Sequence, residues 1–218
     1  MKKLLFAICL AVTAISAAPG QTSPSPVAKS PAQDSGTLTP EERKQAIDYL
    51  KETQKDFLAS ISGVSDAQWT FKAAPDKWSI AETAEHIALA EQLIWEMISG
   101  KIMKDPPAPE KRAEVKGKEE VILTRIPDRS RKAQAPEQLK PSGKWATKAA
   151  LVKDFEATRD TEIKYVSETK EDLRSHFGDH PAMKTMDAWQ WVLFNGAHCK
   201  RHTAQIVEVK ADPKYPKS

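Results

Sequence analysis

Two histidines four positions apart, His198 and His202, stand in the segment NGAHCKRHTAQI near the end of the chain. Residues i and i+4 of a helix share a face, and two such imidazoles can bind one metal ion through bonds of about 2.1 Å. His86 is a candidate third ligand, because it lies in another segment with the apolar spacing of a helix. Three neutral imidazoles that leave a coordination position open are typical of a catalytic rather than a structural metal site.

A helical wheel places these histidines on apolar faces. At about 100° per residue, His202 lies about 40° from His198, and Trp191 lies on the same side and is expected to form a wall of the cavity. His86 also falls on the apolar face of its own helix. Burying an imidazole nitrogen without a hydrogen bond costs about 1–3 kcal/mol, and a metal ion would satisfy one nitrogen of each ring. The alternative is a hydrogen-bonded pair that shares a helix face, and the pattern leaves both interpretations open.

Four segments have the apolar spacing of amphipathic helices. Start signals mark two of them: Thr39 precedes Pro40, and Ser79 stands three residues before Glu82 in a capping box. The connection 105–146 carries no sustained period, so we expect it to cross one end of the bundle and to hold part of a binding site. No strand pattern competes with the helices. The sequence therefore predicts an all-α four-helix bundle with a long crossover connection, with helices over about 39–62, 79–100, 146–168 and 185–210.

The N-terminal region has the three-part order of a secretory signal, with two lysines, an apolar run and small residues across positions 1–20. The apolar run is shorter than the ~20 residues that a membrane span needs, so a cleaved signal peptide is favoured over an uncleaved anchor helix. No cysteine stands where a lipid would be attached, so we expect no stable membrane anchor. Residues 21–38 are rich in Pro and Ser, which predicts a disordered tether. The expected product is an exported protein, periplasmic or extracellular, with a folded domain over 39–212.

Composition and charge exclude several classes of partner. The chain has 218 residues and 40% hydrophobic content, enough for the core of one ordinary domain. Loss of the two lysines of the signal would lower the formal charge from +3 to +1. With both signs well mixed, this charge predicts no nucleic acid or anionic membrane as partner. Cys199 would be the single remaining cysteine, which excludes an internal disulfide, and its position on the helix predicts a buried side chain.

Three segments in this order resemble the DinB-like superfamily, in particular its DinB_2 branch. They are WSIAETAEHI at 78–87, RIPDRSRKAQAPEQLKPSGKW at 125–145 and HCKRHTAQI at 198–206. The resemblance covers about residues 40–210. It implies a four-helix bundle with a long crossover. It also implies a divalent metal held by one histidine of the second helix and the HxxxH pair of the last long helix, here His86, His198 and His202.

The resemblance leaves the reaction open. Characterised members of the superfamily include transferases and isomerases that use bacillithiol or mycothiol, which are cytosolic thiols, and an exported protein departs from that setting. The expected function is therefore a metal-dependent hydrolase or thiol transferase acting on an unknown small molecule. The alternative is a non-catalytic metal- or ligand-binding bundle. Zinc or nickel is the favoured metal, iron, manganese and copper also suit imidazole ligands, and a homodimer is expected by analogy with the family.

Candidates for a catalytic role beside the metal are weak. Glu82 lies one turn before His86 and could act as a general base, but its capping box explains it without catalysis. Gln205 could orient a ligand histidine or a bound water. His176 and His180 flank the sequence FGD in an expected loop. They could bind a second ion or line the pocket mouth, but solvated loop histidines are the favoured interpretation.

Overall fold

The computed structural model describes residues 37–131 and 134–217. The predicted signal peptide and residues 21–36 of the predicted tether lie outside the described residues, so both stay predictions. The described part is mostly helical and contains one antiparallel pair of strands. The elements are α1 Pro40–Ile61, α2 Asp66–Thr70, α3 Ile80–Gly100, α4 Arg112–Val115, α5 Lys118–Arg125, α6 Lys148–Glu168, β1 Phe177–His180, β2 Lys184–Asp187 and α7 Ala188–Lys210.

The starts of α1 and α3 follow from local hydrogen bonds that the sequence encodes. The Thr39 hydroxyl accepts from the backbone N–H of Glu42 at 3.1 Å, and the Glu42 carboxylate accepts from the Thr39 N–H at 2.9 Å. Ser79 and Glu82 make the same reciprocal pair at 3.1 and 2.8 Å. Each pair satisfies backbone donors that the first helical turn would otherwise leave without partners. The predicted helix starts and the capping role of Glu82 are confirmed.

The four long helices form the predicted bundle. Helix α7 packs against α1 and α3, and α6 packs against the same two helices, so each long helix has two principal neighbours. Helix α5 adds a further layer on α7. The connection between α3 and α6 therefore contains more regular structure than its sequence indicated, with α4, α5 and three short 3₁₀ turns. Among the residues described, no helix combines the length and hydropathy needed to cross a membrane.

A β-hairpin stands where the sequence predicted only a loop and an earlier start of the last helix. Strands β1 and β2 pair from Phe177 with Asp187 to His180 with Lys184. Asp187 then caps α7, so this helix begins at Ala188 rather than at Thr185 as predicted. The expectation that no strand is present was wrong, because these four-residue strands lack a clear apolar alternation.

Close packing against α7 holds the hairpin in place. The indole N–H of Trp191 donates to the carbonyl of Gly178 at 3.1 Å. A β-carbon at Gly178 would lie 2.5 Å from Cδ1 of Ile102 and 3.0 Å from the Trp191 indole nitrogen. Glycine is therefore required here because a side chain has no room, not because of an unusual backbone angle.

Gly178→Ala is expected to lower the free energy of unfolding by about 1–3 kcal/mol, the usual range for overpacking. The measurement is urea denaturation followed by circular dichroism. Gly100→Ala is the matched control, because nothing lies within 4 Å of its added β-carbon. Equal stability of the two variants would contradict the close approach of the hairpin to α7.

A buried polar layer divides the apolar core into two clusters. One cluster contains Leu50 and Trp189, and the other contains Phe57 and Ile206. Between them, all four long helices contribute polar side chains that are 0–1% exposed. The members of this layer are Thr53, Glu91, Arg159, Glu162 and Asn195.

Candidate metal centre

The structure brings together the three histidines that the sequence singled out. His86 of α3 has ring-centroid distances of 5.0 Å to His198 and 4.4 Å to His202, both of α7. One nitrogen atom from each ring lies within 4.8 Å of the corresponding atoms of the other two. His86 is 2% exposed, whereas His198 and His202 are partly exposed. The cluster therefore lies between α3 and α7 with access to solvent on the α7 side.

The crossover connection orients His86. Its Nδ1–H donates to the carbonyl oxygen of Leu139 at 2.8 Å, which leaves Nε2 with a free lone pair. The Leu139 carbonyl stands at the end of a 3₁₀ turn in the connection. The ring of Trp78, just before α3, lies beside the His86 ring at a centroid distance of 4.9 Å. The ring is thus held on two sides before any ligand is considered.

The residue next to His86 anchors the same connection. The Glu85 carboxylate accepts from the backbone N–H groups of Ser142, Gly143 and Lys144 at 2.8, 3.1 and 2.9 Å. These bonds tie the connection to α3 two residues after the Leu139 turn ends at Lys140. The expectation that the connection helps to build the site agrees with these contacts.

A second polar chain orients His202. Arg129 Nη1 donates to Gln205 Oε1 at 3.1 Å, which identifies that atom as the amide oxygen because arginine has no acceptor. His202 Nδ1 lies 2.9 Å from the same oxygen and must therefore be the donor. Arg129 is itself held by the Glu208 carboxylate at 2.6 and 2.7 Å. The Nε2 lone pair of His202 is consequently free, as it is in His86.

The two free lone pairs face each other. Nε2 of His86 lies 3.2 Å from Nε2 of His202, and both rings have already placed their proton on Nδ1. Two acceptors in contact repel unless a cation lies between them. Two ligand nitrogens about 2.1 Å from a tetrahedral ion are about 3.4 Å apart, so the observed separation suits one ion. The donor set therefore fits a divalent metal.

The surroundings keep the three rings neutral. Burial lowers the pKa of His202 to about 3, with His86 adding to the effect. The pKa of His198 is also well below its usual value. Burial is the largest cause, and the neighbouring histidines and Arg201 lower the pKa further. In His86, burial lowers the pKa against the opposing hydrogen bond to Leu139. A neutral imidazole is the form that binds a metal, so protonation does not compete near neutral pH.

Glu82 and Cys199 serve structural roles. Glu82 completes the cap of α3 and pairs with Lys72 at 2.9 Å. Partial burial would raise its pKa, but the bonds from Lys72 and Ser79 outweigh burial and lower the pKa. Cys199 is 1% exposed, as predicted, and burial raises its pKa to about 12. A thiol in that state is not a nucleophile.

The second pair of histidines departs from the sequence interpretation. His180 ends β1, and its ring packs on Phe194 at 4.7 Å and on Trp191 at 5.6 Å, so the favoured solvated-loop assignment was wrong for it. His176 is partly buried, and its Nδ1 is buried without a hydrogen-bond partner among the described residues. Trp191 contacts His180 and Phe194, so it forms a wall beside the three-histidine cluster rather than against its rings.

Gln205→Leu is expected to weaken metal binding about 10–100-fold, because partners that orient a ligand imidazole have effects of that size. Competition with a chromophoric chelator measures the dissociation constant. The matched control is Gln54→Leu, which removes a glutamine that bonds an exposed carboxylate on α6. If both variants bind metal as the wild type does, Gln205 does not orient His202.

Comparison with known proteins places this geometry in a family. The DinB_2 family model, described as DinB superfamily, matches residues 49–206. The chain belongs to the DinB superfamily. The match contains all of the three-histidine cluster and the crossover connection that orients it.

Two individual proteins extend the comparison within the DinB superfamily. The uncharacterized protein YuaE of Bacillus subtilis (strain 168) is 27% identical over 164 residues, which cover 75% of this chain and 96% of YuaE. A solved structure of YfiT from Bacillus subtilis aligns with a TM-score of 0.54 and 12% identity, over 85% of this chain and 94% of YfiT. YfiT is described as a probable metal-dependent hydrolase with an unusual four-helix bundle topology. At this identity the likeness shows a shared fold, which confirms the predicted fold class.

Proposed function

We propose that this DinB-superfamily protein is a metal-dependent hydrolase that acts on a small molecule. His86, His198 and His202 would hold the divalent ion, with zinc or nickel as the favoured metal. The observation that carries the proposal is the 3.2 Å contact between two lone-pair-bearing Nε2 atoms. The description of YfiT as a probable metal-dependent hydrolase supports the choice of reaction class.

A divalent ion held by three imidazoles would supply a Lewis acid and a bound water that ionises near neutral pH. The chain's own residues prepare the position for this chemistry. Leu139 and Gln205 fix the tautomers of two ligand rings, and Arg129 holds Gln205 in turn. Preorganised ligands of this kind need no rearrangement when substrate arrives.

Two arginines, Arg129 and Arg201, lie close enough to the histidines to lower the pKa of at least one of them. Arg201 donates to the carbonyls of Ile126, Asp128 and Arg131, and its charge helps to lower the pKa of both His198 and His202. Arg129 contributes to the same shift at His202. Arg129 is paired with Glu208, so the positive charge of Arg201 is the one that would favour the negative charge developing on a carbonyl oxygen during ester or amide hydrolysis.

The activity test uses the metal-loaded protein with a panel of small esters, amides and thioesters. We expect steady turnover in the wild type and its loss in His198→Ala, with helicity retained. His176→Ala, a histidine outside the cluster, is the matched control and should keep the activity. Metal-loaded wild type without turnover across the panel would overturn the hydrolase proposal in favour of a non-catalytic metal-binding bundle.

Thiol transfer is the second reaction to be tested on the same protein. The thiol sulfur would bond to an electrophilic carbon of the acceptor, the bond from that carbon to its leaving group would break, and the leaving group would take up the thiol proton. The position of the three histidines beside solvent admits either substrate. Product analysis distinguishes the two reactions, because hydrolysis incorporates solvent oxygen and transfer incorporates the thiol.

Export is part of the proposal and has its own test. The expected mature protein begins after the predicted signal peptide at 1–20. Intact-mass analysis of the full chain expressed in a bacterium, fractionated into cytoplasm and periplasm, measures this directly. A full-length mass in the cytoplasm would contradict export and would leave the metal proposal unaffected.

A further inference from the structure

His180 is one of two histidines, with His176, that the metal proposal does not use. Its Nδ1 accepts from the backbone N–H groups of Ala182 and Met183 at 3.2 and 3.1 Å. An acceptor nitrogen carries no proton, so the proton of the neutral ring lies on Nε2. Among the described residues, that N–H has no hydrogen-bond partner, and the side chain is partly exposed. The turn thus presents one oriented donor toward whatever binds beside it.

A chain of ring contacts joins His180 to the three-histidine cluster. His180 contacts Phe194 at 4.7 Å, and Phe194 contacts His198 at 6.2 Å. Phe194 and Trp191 precede His198 by about one and two helical turns, which is about 6 and 10 Å along the axis. His180 also contributes to the lowered pKa of His198, so the two rings lie near each other.

The position of His180 is built into the fold. Its hairpin is fixed on α7 by the bond from Trp191 to the Gly178 carbonyl, and Gly178 has no space for a side chain. The ring is therefore a preorganised donor, which loses little freedom when a ligand accepts its hydrogen bond.

We propose that His180 is a substrate-binding residue whose Nε2–H donates to an oxygen acceptor, such as a carboxylate or carbonyl, at the far end of a small molecule. The other end of that molecule would lie at the three histidines. This inference rests on the proposed metal function. It narrows the substrate class to molecules with a metal-binding or scissile group and a second, oxygen-bearing group one to two helical turns away.

The test measures binding rather than turnover. Isothermal titration calorimetry of the zinc-loaded protein compares ω-mercapto acids of increasing chain length with alkanethiols of the same length. A thiolate is a good zinc ligand, so the thiols report the metal end alone. At the best chain length, we expect the carboxylate to tighten binding about tenfold in the wild type, as for a hydrogen bond to a charged group.

Two variants at His180 separate the donor from the ring. His180→Phe keeps an aromatic ring against Phe194 but has no donor, and it should remove the gain from the carboxylate while alkanethiol affinity stays unchanged. His180→Gln keeps a donor and should retain part of the gain. Asp179→Ala is the matched control, because Asp179 is exposed on the other face of β1 and its carboxylate accepts from the Thr185 hydroxyl across the hairpin.

The outcomes separate this inference from the proposal beneath it. A carboxylate gain that persists in His180→Phe, or no gain in the wild type at any length, overturns the role of His180 while the metal site stands. A wild type that binds neither zinc nor alkanethiol overturns both. Loss of alkanethiol affinity in His180→Phe with normal zinc content would show a packing role and would likewise contradict the inference.

Discussion

His202→Ala is expected to weaken metal binding by more than about 100-fold. Loss of a residue that only hydrogen-bonds a metal ligand weakens binding about 10–100-fold, and loss of the ligand itself should cost more. The reason is that His202 supplies one of three converging nitrogens and faces His86 at 3.2 Å. Its own ring is partly exposed, so its removal should leave the helices intact. Competition with a chromophoric chelator gives the dissociation constant, and circular dichroism gives the helix content.

His176→Ala controls for the loss of a histidine as such, since His176 lies outside the cluster. This variant should bind metal as the wild type does. If His202→Ala and His176→Ala bound metal with equal affinity, the three-histidine cluster would not be the metal site.

Arg159→Met is expected to destabilise the fold by about 3–5 kcal/mol, the usual cost of removing one partner from a buried ion pair. Arg159 is 0% exposed and binds both oxygens of Glu91 at 2.6 Å. It also donates to the Leu50 carbonyl and to the Thr53 hydroxyl, both at 2.8 Å. Without the guanidinium, the Glu91 carboxylate would be left in the core with no counter-charge.

Glu162, the other acidic residue of the polar layer, cannot supply the positive charge that is lost with Arg159. Burial raises the pKa of Glu162 well above its usual value, and the nearby Glu91 carboxylate raises it further. Arg159 and the hydrogen bond from Asn195 to Glu162 Oε2 at 2.9 Å oppose this rise in pKa.

Urea denaturation of three variants measures the effect. The double variant Glu91→Leu/Arg159→Met should recover most of the lost stability, because removing both charges leaves no unpaired ion. Asp48→Ala breaks the exposed Lys44 pair of α1 and should change the free energy of unfolding by at most about 1 kcal/mol. If Arg159→Met were as stable as Asp48→Ala, the pair of Arg159 and Glu91 would not stabilise the core.

The helices were predictable because their signals are local. Thr39 with Glu42, and Ser79 with Glu82, lie within one turn, so the sequence contains both partners of each capping box. The helical wheel also needed only neighbouring residues to put His198 and His202 on one face. The third proposed ligand, His86, followed from its own helix and from the family resemblance.

What was not predicted depends on contacts between distant segments. Arg129 and Gln205 lie 76 positions apart, and His86 and Leu139 lie 53 apart, so no local pattern pairs them. The hairpin is similar, because its place depends on Trp191 and on the space at Gly178 rather than on strand periodicity.

The buried polar layer was not predicted from the sequence either. Arg159 follows Phe155 by one turn on the buried face of α6, and Glu91 lies on the buried face of α3. A charged residue at a core position of a helical wheel is the signal that could have identified each. The two residues lie 68 positions apart, so their pairing could be seen only in the folded structure.

Elemental analysis of residues 21–218, purified without chelator and without a histidine tag, tests the three-histidine metal site most directly. We expect about one equivalent of a divalent transition metal per chain, as one three-histidine site would hold. His86→Ala, His198→Ala and His202→Ala should each lose it with helicity retained. A wild type that contains no metal and takes up none on titration with zinc or nickel would contradict a metal site at the three histidines.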